Sequence, residues 1–368
     1  MTMLAGRLLI EGALVPGRLT LNDDRIAAVD PDSSVADERI IAPGFIDLQV
    51  NGGFGVDFGE HPQRIAEVAN RLPETGCTAF LPTIVSSFGD RYRRVFDTLP
   101  GVVGVTGARV LGLHLEGPFL APGKKGAHSL EAIEAADDAL FEELLAEESV
   151  RLVTLAPERP GALHRIAQLV ERGVLVSLGH SEATFEQFEA GIDAGARMAT
   201  HLFNAMSQLD SRAPGAVGAA LVDERVTVGL IADGIHTHAA SLALTARAKG
   251  TNGIALVSDM MAAAGMPPGN YSLNDIPVNV DATSARLADG LLAGSILTMD
   301  AAVRNMTAWG CVSIADALTM ASAVPAGLLG RADLGTLSPG YAADLVVLTP
   351  DLQAAETWIA GKQVFLRS

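Results

Sequence analysis

The sequence predicts an α/β chain: a (β/α)8 barrel of the TIM type, with a small β-sandwich-like domain assembled from both termini. Three observations lead there. Between residues 43 and 335, short apolar runs alternate with amphipathic segments, as in βα units feeding a parallel sheet. Residues 1–42 and 336–368 instead read as short strands separated by turns. Hydrophobic residues make up 49% of the 368 and aromatics only 5%. Val, Leu, Ile and Ala must therefore fill a large core, which suits a parallel sheet better than a sandwich.

Taken in order, Arg7–Ile10 is a first strand, and Gly17–Leu21, the turn Asn22–Asp24 and Arg25–Val29 form a hairpin. Eight apolar runs follow, ending at Val50, Thr83, Glu116, Ala156, His180, His201, Asp233 and Asp259. Amphipathic segments between them include Arg64–Thr75, Glu158–Arg172 and Glu182–Ala194. Eight units close most economically as a barrel. Residues 266–293 interrupt the pattern and read as a hairpin insertion. Two helices, roughly Met299–Trp309 and Ser313–Ala323, complete the barrel. Ala343–Leu348, Glu356–Ala360 and Gln363–Leu366 are terminal strands that pair with the first forty residues.

The composition excludes several classes. Lys and Arg total 26 against 43 Asp and Glu, a net charge of −17. Nucleic acid and anionic membranes are poor partners for such a chain. There is no apolar run of the ~18 residues that a membrane span needs. Arg7 and Glu11 break the first apolar stretch, no cleavage site follows it, and the cytoplasm is the expected compartment. Cys77 and Cys311 lack metal-ligand spacing and read as reduced thiols. Gly101–Gly107 has three glycines at spacing three, a coincidence outside any dinucleotide-binding context.

The polar residues at the strand ends carry the chemistry. Active sites of such barrels lie at the C-terminal strand ends, where Glu116, His180, His201 and Asp259 fall. Two imidazoles and a carboxylate suit one divalent transition metal per chain, zinc first and ferrous iron as the alternative. Three protein ligands leave a position for water, whose pKa the metal lowers from ~15.7 toward ~7. Asp259 is placed to take the water's proton and return it to a leaving nitrogen.

These motifs resemble the amidohydrolase superfamily and, within it, the N-acetylglucosamine-6-phosphate deacetylase family. The resemblance runs nearly end to end. It rests on Pro43–Gly52, His114–Phe119, Lys124–His128, Gly179–Ser181, Thr200–Met206, Asp233–His236, and Gly294-Ser295 before Leu297–Met299. It implies that Glu116, His180 and His201 bind the metal and that Asp259 is the acid/base. By the same resemblance, His128 faces the acetyl carbonyl. Asn204, the Ala205 backbone N–H, Arg212 and His236 hold the sugar phosphate, with Gln49 and Asn51 also on the substrate side. A homodimer is implied too, because in some members a phosphate-binding group comes from the neighbouring subunit.

One departure is informative. Many superfamily members carry His-x-His at the end of the first barrel strand, building a second metal site. This chain has Gln49-Val50-Asn51, and neutral amides are poor ligands for a transition metal, so the site reads as mononuclear. The implied substrate is a phosphorylated N-acetylhexosamine. N-acetylgalactosamine 6-phosphate and a non-catalytic scaffold stay open as alternatives. His114 shares the inward face of Glu116 and reads as a packed, hydrogen-bonded residue. Lys124 and Lys125 read as loop lysines, with substrate contact open. Whether Met260-Met261 narrows the pocket or only lines it is likewise open.

Overall fold

The computed structural model describes residues 1–367 apart from Val103 and Val105, so the glycine-spaced segment Gly101–Gly107 falls partly outside the described residues. Strands β1 (Thr2–Ile10), β2 (Ala13–Asn22) and β3 (Arg25–Pro31) form an antiparallel meander. The β1–β2 turn is Glu11-Gly12, with φ of 47° and 77°. Positive φ at both central residues is what a tight hairpin turn of matching twist requires. β4 (Ile40–Pro43) pairs in parallel with β1, and on its other edge pairs antiparallel with β16 (Leu345–Leu348) near the C-terminus. With β17 (Ala354–Ile359) and β18 (Lys362–Leu366) the order is β18-β17-β16-β4-β1-β2-β3. The two termini thus share one seven-stranded sheet, whose inner face encloses its own core of Leu8, Leu19, Leu21, Ile26, Ile41, Leu345 and Val347.

One residue separates this sheet from the barrel. Gly44 follows β4 directly, and a Cβ there would collide with the Thr78 side chain. Only glycine lets the chain pass so close. The barrel strands are β5 (Phe45–Val50), β6 (Cys77–Val85), β7 (Leu113–Glu116), β8 (Val150–Leu155), β9 (Leu175–Leu178), β10 (Met198–Ala199), β11 (Thr227–Leu230) and β12 (Ile254–Leu256). All neighbours pair in parallel. The ring closes beyond β12, where the Asp259 amide donates to Gln49 O and the Asn51 amide to Met260 O, both at 2.9 Å.

Regular pairing ends earlier than the apolar runs suggest. It stops at Leu178, Ala199 and Leu256, short of His180, His201 and Asp259. Those three residues have φ of +48°, +27° and +52°. A left-handed backbone ends a strand and is uncommon outside glycine, so each of these three residues carries backbone strain at the barrel rim. Helix boundaries differ for simpler reasons. Within Arg64–Thr75 only Ile65–Arg71 is α-helical, and Pro73 falls in the 3-10 turn that follows. The helix expected from Glu158 starts at Ala162, after Pro160-Gly161. The one expected from Glu182 starts at Phe185, with Thr184 and Gln187 forming a capping box. The two closing helices run Met299–Ala308 and Ile314–Ala321, and a short third, Ala323–Leu328, follows.

Residues 266–293 form a separate antiparallel sheet of β13 (Gly269–Leu273), β14 (Ile276–Val280) and β15 (Ala285–Arg286). Its apolar side packs on Ala127, Met261, Ala262 and Ala263, at the C-terminal mouth of the barrel. Among the described residues, no helix is long and apolar enough to cross a membrane. Cys77 and Cys311 are both free thiols.

Candidate active site

Glu116, the last residue of β7, is the hub of the site. Its Oε1 lies 3.2 Å from His180 Nε2 and 3.1 Å from His201 Nε2, and the two nitrogens are 3.1 Å apart. All three residues are buried. His180 Nδ1 lies 2.7 Å from the Lys124 carbonyl oxygen, to which it can only donate, so a neutral ring presents a bare Nε2 to Glu116. Two facing lone pairs repel unless a cation lies between them. A tetrahedral ion with bonds of about 2.0–2.1 Å holds its ligand atoms roughly 3.3 Å apart. The observed triangle therefore fits a metal ion, and among the described residues it is the one cluster whose ligand atoms converge this closely.

The electrostatics of Glu116 and His180 agree. Burial opposes ionisation of Glu116, but the imidazoles of His128, His180 and His201 gathered around it outweigh burial and hold the carboxyl well below its usual range. Burial also opposes charge on His201, and the Glu116 carboxylate more than offsets it, so His201 is raised. His180 is lowered by burial and by His128, which favours the neutral ring that a metal ligand needs. His201 Nδ1 is buried without a hydrogen-bond partner among the described residues. The His201 ring is thus braced less directly than that of His180.

Asp259 faces this triangle with one oxygen committed. Its Oδ1 accepts from Asn51 Nδ2 at 2.7 Å and from Gln49 Nε2 at 3.1 Å. Its Oδ2 makes no protein hydrogen bond among the described residues. Burial, then the charge of Glu116, pushes the carboxyl up to about 6. One oxygen fixes the orientation and the other is left to exchange a proton. The Gln49 amide also donates to Glu116 Oε1 at 3.0 Å, so it bridges the two carboxylates.

His128 completes the inner set. Its Nδ1 accepts from the Ser86 backbone N–H at 3.1 Å. A neutral imidazole that accepts at Nδ1 carries its proton on Nε2, and Nε2 lies 3.7 Å from Glu116 Oε2. That N–H is a ready donor to an oxygen bound beside the triangle.

A cavity of about 520 Å³ opens over these groups. Its lining includes Asn51, Glu116, His128, His180, His201, Asn204, Ala205, His236 and Asp259. His236 Nδ1 is held by Asp233 Oδ2 at 2.6 Å. Asn204 spends its amide hydrogens on His201 O and Leu202 O, which leaves its oxygen to face a ligand. The Ala205 N–H has no protein acceptor among the described residues.

Two expected residues lie elsewhere. Gln49 is not in the lining. It lies within β5, two residues before Asn51, and its amide is used on the carboxylates. Arg212 is exposed on the loop after β10, with its backbone N–H on Asp210 Oδ1, outside the lining of its own cavity. The structure also adds residues that sequence reasoning missed. The insertion brings Leu273, Arg286, Gly290, Leu291 and Leu292 to the cavity. Among the described residues, the Arg286 guanidinium bonds only to neutral oxygens, Ser284 Oγ and Gly290 O, and finds no carboxylate partner. Lys124 lines the cavity too, whereas Lys125 Nζ folds onto the carbonyls of Gly126 and His128. Met260 and Met261 are buried and outside the lining, so they support the wall without narrowing the pocket.

A barrel with an open nitrogen and oxygen ligand set at its C-terminal rim defines the class of metal-dependent hydrolases. The chain belongs to the amidohydrolase family, whose model matches residues 40–364. The N-acetylglucosamine-6-phosphate deacetylase of Homo sapiens is 41% identical over 383 residues, covering 98% of this chain and 93% of that protein. The N-acetylgalactosamine-6-phosphate deacetylase of Escherichia coli O157:H7 is 40% identical over 370 residues, covering 97% of each. Among solved structures, a mutant N-acetyl-D-glucosamine-6-phosphate deacetylase from Mycobacterium smegmatis, in complex with N-acetyl-D-glucosamine-6-phosphate, matches with a TM-score of 0.92, 34% identity and 99% coverage of each chain. The Thermotoga maritima N-acetylglucosamine-6-phosphate deacetylase gives 0.91 at 31% identity over 100% of each. Membership of the amidohydrolase family implies a divalent metal, and Glu116, His180 and His201 are the group able to hold one.

Proposed function

We propose that the chain hydrolyses the acetamide of N-acetylglucosamine 6-phosphate to glucosamine 6-phosphate and acetate. The observation that carries this reading is the ligand triangle facing both the uncommitted Asp259 Oδ2 and the His128 Nε2–H inside one cavity. Glu116, His180 and His201 hold a single ion, with zinc the first choice and ferrous iron the alternative. When bound, the ion lowers the pKa of water and polarises a carbonyl. Asp259 Oδ2 takes a proton from the attacking water as its oxygen bonds to the acetyl carbon. His128 donates its Nε2–H to the acetyl oxygen as negative charge builds there. Asp259 then returns the proton to the nitrogen as the C–N bond breaks, releasing the amine and acetate. The complete ligand set argues against a non-catalytic scaffold.

The mononuclear reading has a direct check. Gln49 and Asn51 turn their N–H groups toward Glu116 and Asp259, so they offer that space donors in place of ligand lone pairs. Elemental analysis should find about one transition metal per chain, and two tightly held metals per chain would overturn the assignment.

Asn204, the Ala205 N–H and His236 face the sugar phosphate in this reading. Arg212, outside its own cavity, supports a homodimer in which it serves the neighbour's phosphate. The proposed setting is cytoplasmic amino-sugar metabolism. A charged hydrogen bond to phosphate contributes ~1.5–3 kcal/mol, a factor of roughly 10 to 150. Arg212→Ala should therefore lower kcat/KM for the 6-phosphate by that factor and barely change the slow rate on the unphosphorylated sugar. An equal loss on both would assign Arg212 to fold or chemistry.

A second reading, N-acetylgalactosamine 6-phosphate as substrate, is favoured by the 40% identity to the Escherichia coli deacetylase of that sugar. Turnover of the two epimers under identical metal loading tests the choice, and a clear preference for the galacto epimer would replace the first reading.

A further inference from the structure

We infer that His114 is a positioning residue: it ties the strands beneath the ligand triangle into one hydrogen-bonded belt that sets the spacing of the three ligand atoms. The inference rests on the proposed role of Glu116, His180 and His201 as metal ligands.

His114 is two residues before Glu116 on β7 and shares its inward face. Its Nδ1 lies 3.2 Å from Thr83 Oγ1 on β6, and its Nε2 lies 2.8 Å from Thr154 Oγ1 on β8. Thr154 Oγ1 continues to Thr200 Oγ1 at 2.7 Å, and Thr200 Oγ1 to Ser177 Oγ on β9 at 2.6 Å. At the other end Thr83 Oγ1 accepts from the Val50 N–H at 3.0 Å. The belt therefore runs from β5 to the end of β10. Its five side chains are at most 2% exposed.

Barrel interiors are normally filled by branched apolar side chains. Buried hydroxyls are tolerated only when hydrogen-bonded, and here they bond mainly to one another. A neutral imidazole has one donor and one acceptor, and each hydroxyl has one hydrogen to give. If Thr83 donates to Nδ1, then Nε2–H donates to Thr154, Thr154 to Thr200, and Thr200 to Ser177. The reverse polarity satisfies the same groups from the other end. Removing the imidazole leaves both halves without their link.

The belt reaches the ligands where other support is thin. Thr200 immediately precedes His201, whose Nδ1 has no protein partner among the described residues. The left-handed backbone at His180 and His201 also takes both out of the regular strand pairing. The Lys124 carbonyl still holds the His180 ring, so the support from the preceding residue matters most at His201.

The test compares His114→Leu, His114→Asn and His114→Gln with the wild-type protein. Asn can reach toward Thr83 from the Nδ1 position, Gln toward Thr154 from the Nε2 position, and Leu reaches neither. Zinc affinity is measured by competition with a chromogenic chelator, the cobalt-substituted protein by its visible absorption spectrum, and the metal-free fold by its melting temperature. Groups that orient metal ligands typically cost 10–100-fold in metal affinity when removed. A loss of about that size is expected for Leu and for Asn, with a shifted cobalt spectrum, and a smaller loss for Gln. Thr154→Val, nearly the same shape, cuts the belt one step further along and should reproduce the loss even if His114→Leu fails to fold. Variants that bind zinc with wild-type affinity and leave the cobalt spectrum unchanged would overturn the inference, whatever their stability. Wild-type protein that binds no zinc would instead overturn the ligand assignment beneath it.

Discussion

Asp259→Asn should fold, keep its metal and lose at least ~10²–10⁴-fold in kcat/KM, the contribution of general acid–base catalysis. The geometry makes this substitution unusually clean. Asn51 and Gln49 both donate to Asp259 Oδ1, and an asparagine oxygen at that position still accepts both. The change falls on Oδ2, where an NH2 group cannot accept the water's proton. Asp259 is not part of the Glu116, His180 and His201 triangle, so metal content should be unchanged. Metal per chain and kcat/KM, measured on the same preparation, separate the two effects. Turnover near the wild-type rate would remove Asp259 from the acid/base role.

That constellation was readable in the sequence because buried parallel strands appear as short apolar runs. A polar residue that closes such a run falls at the C-terminal rim, where this fold builds its sites. Glu116, His180, His201 and Asp259 could be located this way without knowing how the rings and carboxylates turn. The turning itself depends on contacts distant in sequence. His180 is oriented by the Lys124 carbonyl and His128 by the Ser86 amide, and no local pattern encodes either pairing.

The same limit explains Gln49. Its place in a neutral Gln-x-Asn shows only that no imidazole pair stands at the end of β5. Its actual partners, Glu116 and Asp259, lie 67 and 210 residues away, and that proximity exists only once the barrel closes. Arg286 was hidden for a related reason. The strands of the insertion alternate polar and apolar residues, which identifies a hairpin but not the direction in which it folds over the barrel mouth. The helix boundaries were missed more locally, where Pro73 and Pro160-Gly161 interrupt amphipathic patterns that otherwise read as continuous.

Glu116→Ala should bring bound metal close to zero and activity with it. Its Oε1 is the vertex shared by His180 and His201, and Gln49 donates to the same atom. Removing the carboxylate leaves two imidazoles and takes away the negative charge that draws a cation to this buried point. Two neutral nitrogens seldom retain a divalent ion against water. The loss of charge can be separated from the loss of shape by Glu116→Gln. Its amide oxygen can keep contact with the Gln49 amide and the two imidazoles, while the charge is gone and its NH2 group takes the place of Oε2 beside His128. That variant should therefore fold much like wild type and still bind zinc far more weakly. Metal per chain after gel filtration, together with zinc competition, is the measurement. Either variant retaining wild-type metal content would mean that the ion is held elsewhere, and the mechanism built around the Glu116 triangle would fail with it.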